Sequence, residues 1–293
     1  MSKVTRTLLT ATSLAAVALT TLAAQDGASH FTNLDGNRVH YLSFGTGDEA
    51  VVFIHGWTCD ATFWKAQAPV YEKRRSLLID LPGHGLSDKP EIPYTMELFA
   101  RAVDAVMADA HVRKATLVGH SMGAPVAVQF LRMHPAQVAG LVLVDGFVPQ
   151  PPKDDAERKQ QDAQHAGMTK ALSAPDYRVM ASRMVDFMFT KATDPSLREQ
   201  IRKTMLAAPQ HVMVSALEGM SAMPPVTESY PKIAVAAMMT KRANGASYRE
   251  YLAQHFQLVD FREFEGAGHF LMMEQADRFN AALREFLDRK PAP

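Results

Sequence analysis

The segment ATLVGHSMGAPVAVQFLRMH, residues 115–134, decides the fold. Its first four residues are an apolar run bounded by Lys114 and Gly119, which reads as a buried strand. From Met122 to His134 apolar residues recur at helical spacing, and Pro135 stops the pattern. Gly119-His120-Ser121-Met122-Gly123 must therefore turn the chain from strand to helix. A serine held at so sharp a turn presents its hydroxyl beyond the strand end. The amide of Met122, at the helix N-terminus, then points to where an oxyanion would form. Ser121 is the candidate nucleophile, and Met122 supplies one candidate oxyanion donor.

Working outward, short apolar runs at 37–44, 50–54 (AVVFI), 76–79 and 140–144 (GLVLV) predict further strands. Between them, 62–73 and 95–110 predict helices. Strands alternating with helices imply an α/β fold with a mostly parallel sheet covered on both faces. After Asp145 the rhythm changes. Residues 147–229 carry many prolines and Met-rich helical stretches but no strand pattern. Apolar runs at 233–239 and 261–264 resume the sheet, and an amphipathic helix is expected over 273–287. The expected organisation is a core of residues 25–146 and 230–293, with 147–229 inserted as a helical cap over the C-terminal edge of the sheet.

The N-terminus reads differently. Lys3 and Arg6 precede an uncharged run, 8–24, that ends in Ala23-Ala24. This is the pattern of a secretory signal peptide over residues 1–24, so export to the periplasm or medium is expected. The run is poor in large apolar residues, which disfavours stable membrane insertion. The lone Cys59 cannot form an intramolecular disulfide. Lys plus Arg and Asp plus Glu are 31 each, so no broad basic surface is implied and nucleic acid is not expected as a partner. There is no H-E-x-x-H, no paired Cys, no P-loop and no G-x-G-x-x-G after a strand, so neither metal nor cofactor is expected.

Four segments in order, VVFIHGW (51–57), LLIDLPGHGLSD (77–88), LVGHSMGA (117–124) and GAGHF (266–270), make the chain resemble the α/β-hydrolase superfamily over residues 35–290. It looks most like the capped bacterial esterase and lipase-like branch. The resemblance implies that His269, in a glycine-flanked loop after the last strand, is the general base. It implies that the amide of Trp57 is the second oxyanion donor. It gives Asp80, Pro82, Gly83, His84, Gly85 and Ser87 a structural turn. Relatives without serine chemistry, haloalkane dehalogenases and epoxide hydrolases, carry Asp at the elbow, and Ser121 argues against both.

The acid departs from the common pattern. The family's usual acid follows the strand after the cap, but residues 240–247 (TKRANGAS) hold no carboxylate. Asp145, at the end of the strand after the elbow, is where haloalkane dehalogenases and some lipases carry theirs. It is the favoured acid, against a purely turn-capping role; Glu218 and Asp260 are poorer candidates. A serine activated by histidine, itself oriented by a carboxylate, is the general design for acyl transfer. The expected activity is cleavage of a small, apolar carboxylic ester through an acyl-enzyme. Lactone opening, C–C bond hydrolysis and perhydrolysis use the same residues and stay open. A receptor-like protein with little turnover is the alternative from another class, and a hydroxynitrile-lyase-like enzyme would need Lys241 or Thr58. Methionines at 168, 180, 184, 188, 205, 213, 220 and 223 suit an adaptable apolar pocket or the inward faces of cap helices. Met188, Phe187 and Phe270 are the candidate substrate contacts. Oligomeric state is left open.

Overall fold

Runs with no exposed face must lie inside a sheet, and four of the apolar runs do so. In the computed structural model, which describes residues 27–241 and 245–289, β1 (Ala28–Leu34), β2 (Asn37–Phe44), β3 (Glu49–Ile54) and β4 (Ser76–Ile79) open the fold. A 3₁₀ helix (Ala61–Gln67) and the single turn α1 (Ala68–Tyr71) join β3 to β4. Then come α2 (Met96–Asp109), β5 (Lys114–His120), α3 (Gly123–Met133) and β6 (Val138–Val144). Four helices follow: α4 (Asp155–Ser173), α5 (Tyr177–Asp186), α6 (Pro195–Met205) and α7 (Gln210–Ser221). The chain closes with β7 (Tyr230–Thr240), α8 (Gly245–His255), β8 (Phe256–Phe264), α9 (Leu271–Glu274) and α10 (Ala276–Leu287).

The eight strands form one sheet in the order β1-β2-β4-β3-β5-β6-β7-β8. From β4 to β8 every neighbour is parallel; β1–β2 and β2–β4 are antiparallel. Helices α2 and α3 pack together as one group, and α1, α9 and α10 with the 3₁₀ helix as another. The fold is the α/β-hydrolase fold, with a mostly parallel sheet clothed by helices. Parallel strands need crossover connections, so the loops leaving β3, β5, β6 and β8 all open at the same C-terminal edge.

Several expectations need correction. The helix expected over 62–73 is broken, because Pro69 has no N–H to donate and starts a new turn. The closing helix begins earlier and breaks at Gln275, whose φ and ψ are −126° and 51°. Edge strand β1 is additional to the expected strands: it is largely exposed and lacks an alternating apolar pattern. Asp35-Gly36, both at positive φ, link it to β2 in a tight hairpin. Helix α8 is also additional; its few buried residues are two tyrosines and a leucine.

Between β6 and β7 there are four helices and no strand among the described residues. Helix α7 seats this excursion on the core. Tyr94 N–H donates to Ser215 Oγ at 2.8 Å, and Trp57 Nε1–H donates to the Met213 carbonyl at 2.9 Å. Met205, Met213 and Met223 are buried, and Met168, Met180, Met184, Met188 and Met220 are partly buried against the core. These methionines therefore serve first as inward packing of the four helices.

Asp80, 3% exposed, organises the turn after β4. Its carboxylate accepts from Ala61 N–H (2.7 Å), Leu86 N–H (2.9 Å) and His40 Nδ1 (2.8 Å). Burial pushes its carboxyl up, but the His40 bond and the two backbone donors win and hold it below the usual carboxylate range. A depressed folded-state pKa gives stability that is present above about pH 4 and is lost as pH falls through the folded value. Asp80→Ala leaves the buried Ala61 N–H and His40 Nδ1–H without their partner and should cost about 3–5 kcal/mol. Urea midpoints at pH 7 and at pH 3 measure both effects: the gap between wild type and variant should narrow at the lower pH.

Candidate active site

Strand β5 delivers Ser121 into a strained turn. Its φ is 51°, in the left-handed region, and its N–H donates to the Val144 carbonyl at 2.9 Å. The turn is tight enough that a Cβ on Gly119 would lie 2.3 Å from the Gly123 oxygen, and one on Gly123 would lie 2.3 Å from the Ile54 oxygen. The glycines at 119 and 123 thus answer to close approach between β5, α3 and β3. Five described non-glycine residues have positive φ, and three of them, Thr58, Ser121 and Asp145, stand just beyond β3, β5 and β6. Such strain concentrates where surrounding structure fixes a functional geometry.

Strand β3 leads into His55-Gly56-Trp57. His55 Nδ1–H donates to the Gly56 carbonyl at 2.8 Å, and Nε2 accepts from Leu81 N–H at 3.0 Å. This ties the loop after β3 to the loop after β4. Burial pushes His55 down from the usual histidine value, in keeping with a neutral ring that both donates and accepts. The amides of Trp57 and Met122 donate to no group among the described residues. They flank the Ser121 elbow, where two free donors suit a developing oxyanion.

Directly after β6 comes Asp145, whose φ is 41° and whose side chain has no exposed surface. His269 Nδ1–H donates to Asp145 Oδ2 at 2.6 Å. That bond leaves Nε2 as the basic nitrogen. Asp145 Oδ1 accepts from Thr240 N–H (2.9 Å) and from Thr240 Oγ1–H (2.8 Å). Thr240, at the end of β7, stands at the start of the segment that lacks a carboxylate and instead orients the one next door. The sequence analysis misses this role, because a threonine hydroxyl at a strand end carries no motif.

The His269 loop is tied on all sides. His269 N–H donates to the Met188 carbonyl at 2.8 Å. Gly268 N–H donates to Glu274 Oε2 at 3.0 Å, and the same oxygen accepts from Thr193 Oγ1–H at 3.0 Å. The His120 ring lies 4.7 Å from the His269 ring. Ser121, next to His120 and half-buried, makes no side-chain hydrogen bond among the described residues. Serine–histidine contacts in unliganded sites commonly tighten only when substrate binds.

The other sequence candidates separate clearly. Phe270 is fully buried and packs on Phe63, His120 and Phe189, with ring centroids 5.4–5.9 Å away, so it is a floor under His269 and not a surface contact. Phe187 is 94% exposed and is not gathered with the others. Met188 comes to the site through its backbone carbonyl. Glu218 is exposed, and Asp260 is paired with Arg262 and Arg289. Lys241 reaches outward to Glu265, and Thr58 is buried. Cys59 is buried with its thiol donating to the Trp57 carbonyl, and burial pushes its pKa well above the usual value, so it is no nucleophile. No group of three or more His, Cys, Asp or Glu side chains able to hold a metal occurs among the described residues, and none of their helices is long and apolar enough to cross a membrane.

A family model described as the alpha/beta hydrolase family matches residues 51–282. The 2-hydroxy-6-oxononadienedioate/2-hydroxy-6-oxononatrienedioate hydrolase of Burkholderia vietnamiensis is 28% identical over 297 residues, 92% of this chain and 99% of that protein. A thermophilic esterase from Thermogutta terrifontis superposes with a TM-score of 0.73 at 25% identity, covering 89% of this chain and 98% of that one. An esterase from Exiguobacterium antarcticum superposes with a TM-score of 0.75 at 20% identity, covering 89% and 100%.

The packing at the elbow makes a direct prediction. Gly123→Ala forces a methyl group against the Ile54 carbonyl and should destabilise the fold by about 1–3 kcal/mol. A chemical denaturation midpoint equal to wild type would contradict this reading of the turn.

Proposed function

The chain belongs to the alpha/beta hydrolase family, and from that premise we propose that it is a serine hydrolase that cleaves carboxylic esters through an acyl-enzyme. The observation that carries the proposal is the Asp145–His269 pair at 2.6 Å, together with a strained serine and the Trp57 and Met122 amides, which donate to no group among the described residues. Ser121 Oγ attacks the ester carbonyl while His269 Nε2 takes its proton. Asp145 holds the ring in the Nδ1–H tautomer and stabilises the imidazolium that forms. The amides of Trp57 and Met122 receive the oxyanion. His269 returns the proton to the departing alcohol, then activates the water that releases the acid and regenerates Ser121.

The Met-lined inner faces of α4–α7 support an apolar substrate, since thioethers adapt to irregular apolar shapes. On this reading residues 147–229 act as a cap, and residues 1–24, which lie outside the described residues, are a signal peptide removed on export. The relative that acts on 2-hydroxy-6-oxononadienedioate supports a second reading, hydrolysis of an activated C–C bond by the same residues.

Steady-state turnover of chromogenic esters from short to long acyl chains tests the proposal. Ser121→Ala should lose about 10⁴-fold or more, and Asp145→Asn about 10³–10⁴-fold with the fold intact. Full turnover in Ser121→Ala would sink the serine mechanism. Unchanged turnover in Asp145→Asn would remove Asp145 from the acid role. A folded wild type inert to all esters but active on a vinylogous 1,5-diketone would move the assignment to C–C cleavage.

A further inference from the structure

His269 makes two main-chain hydrogen bonds besides its side-chain bond to Asp145. Its N–H goes to Met188, and its carbonyl oxygen accepts from His120 Nε2 at 3.0 Å. His120 is the variable residue inside the G-x-S-x-G turn, and nothing in the proposed chemistry uses it. We propose that His120 is a positioning residue, a buried imidazole that fixes the His269 main chain through the bond it donates to the His269 carbonyl. The inference rests on the serine hydrolase reading of the same site.

Three observations carry it. First, the ring is 1% exposed and wedged among aromatic neighbours: Trp64 edge-on at 6.4 Å, Phe270 at 5.4 Å and His269 at 4.7 Å between centroids. A solvated surface histidine has no such cage. Second, the hydrogen bond fixes the tautomer. A carbonyl only accepts, so Nε2 carries the hydrogen and Nδ1 is bare. Nδ1 has no partner among the described residues, and it lies where a Cβ on Gly56 would come within 3.1 Å. His120 therefore bridges the loop after β3, the elbow and the His269 loop. Third, burial above all, then the neighbouring His269, pushes the His120 pKa down to about 3. The charged and titratable groups facing it are His269, Asp145 and His55.

The consequences are electrostatic and geometric. The reaction makes a cation on His269. A cationic ring 4.7 Å away would oppose that step, whereas a neutral one leaves Asp145 unopposed. Geometrically, Met188 and His120 clamp the His269 peptide groups from both sides, so the ring has only its own torsions left to sample. Misplacement of a reacting group by about 1 Å can cost about 10²-fold in rate.

Two variants separate the hydrogen bond from mere packing. His120→Phe keeps an aromatic ring in the cage and removes the donor. His120→Gln restores an N–H donor without the ring. The rate of Ser121 phosphonylation by an organophosphonate fluoride is followed against pH in the full chain. Its companion is the low-field NMR proton of His269 Nδ1–H in the Asp145 bond. His120→Phe should lose about 10²-fold in phosphonylation rate, move the acid limb to lower pH as the Asp145–His269 bond loosens, and shift or broaden the low-field proton; His120→Gln should recover to within about tenfold of wild type. Wild-type rates and an unmoved proton in His120→Phe would overturn the proposal. Equal losses in both variants, tracking a lower unfolding midpoint, would overturn it in favour of packing alone. If wild-type Ser121 is never phosphonylated, the serine hydrolase reading fails, and the low-field proton alone then decides the role of His120.

Discussion

A carboxylate with no exposed surface must be paired, and the site is organised around how Asp145 is paired. One oxygen receives His269 Nδ1–H at 2.6 Å; the other receives the amide and hydroxyl of Thr240. An unpaired charge there would cost several kcal/mol, so the ends of β6 and β7 and the loop after β8 are held in mutual register. The turns at Thr58, Ser121 and Asp145 each store about 1–3 kcal/mol of backbone strain, which the buried sheet beneath them sustains.

The helical excursion is part of this arrangement. Met188 supplies a carbonyl to His269, Thr193 shares Glu274 with the same loop, and Met213 receives the Trp57 indole. Movement of α5–α7 would therefore be felt at His269 and at the loop carrying the Trp57 amide. The placement of these helices and that of the His269 loop are joined through these few bonds.

The central sheet is legible in the sequence because β3 to β6 are buried over most of their length, and continuous apolar runs between helical patterns fit a parallel sheet covered on both faces. The elbow is legible because its glycines answer a steric need that any chain making this turn must meet. Asp145 is singled out by the family resemblance, which places an acid at this strand end, once residues 240–247 are seen to hold no carboxylate. The rest is hidden for physical reasons. Strand β1 is exposed and gains its place by pairing with β2, which no apolar pattern announces. Thr240 acts through a hydroxyl common to many surface positions. Met188 acts through a backbone carbonyl that every residue possesses. Phe270 and Phe187 look alike in sequence, yet one is buried under His269 and the other stands in solvent.

The central claim is that a covalent acyl-enzyme forms on Ser121. It is tested most directly by mixing the protein with excess of an activated ester, quenching with acid within the first turnover, and mapping the acyl mass by peptide mass spectrometry. The account predicts one added acyl group, on the peptide that contains Ser121. Turnover with the acyl group on another residue, or with no acylated peptide at any time before steady state, would contradict it.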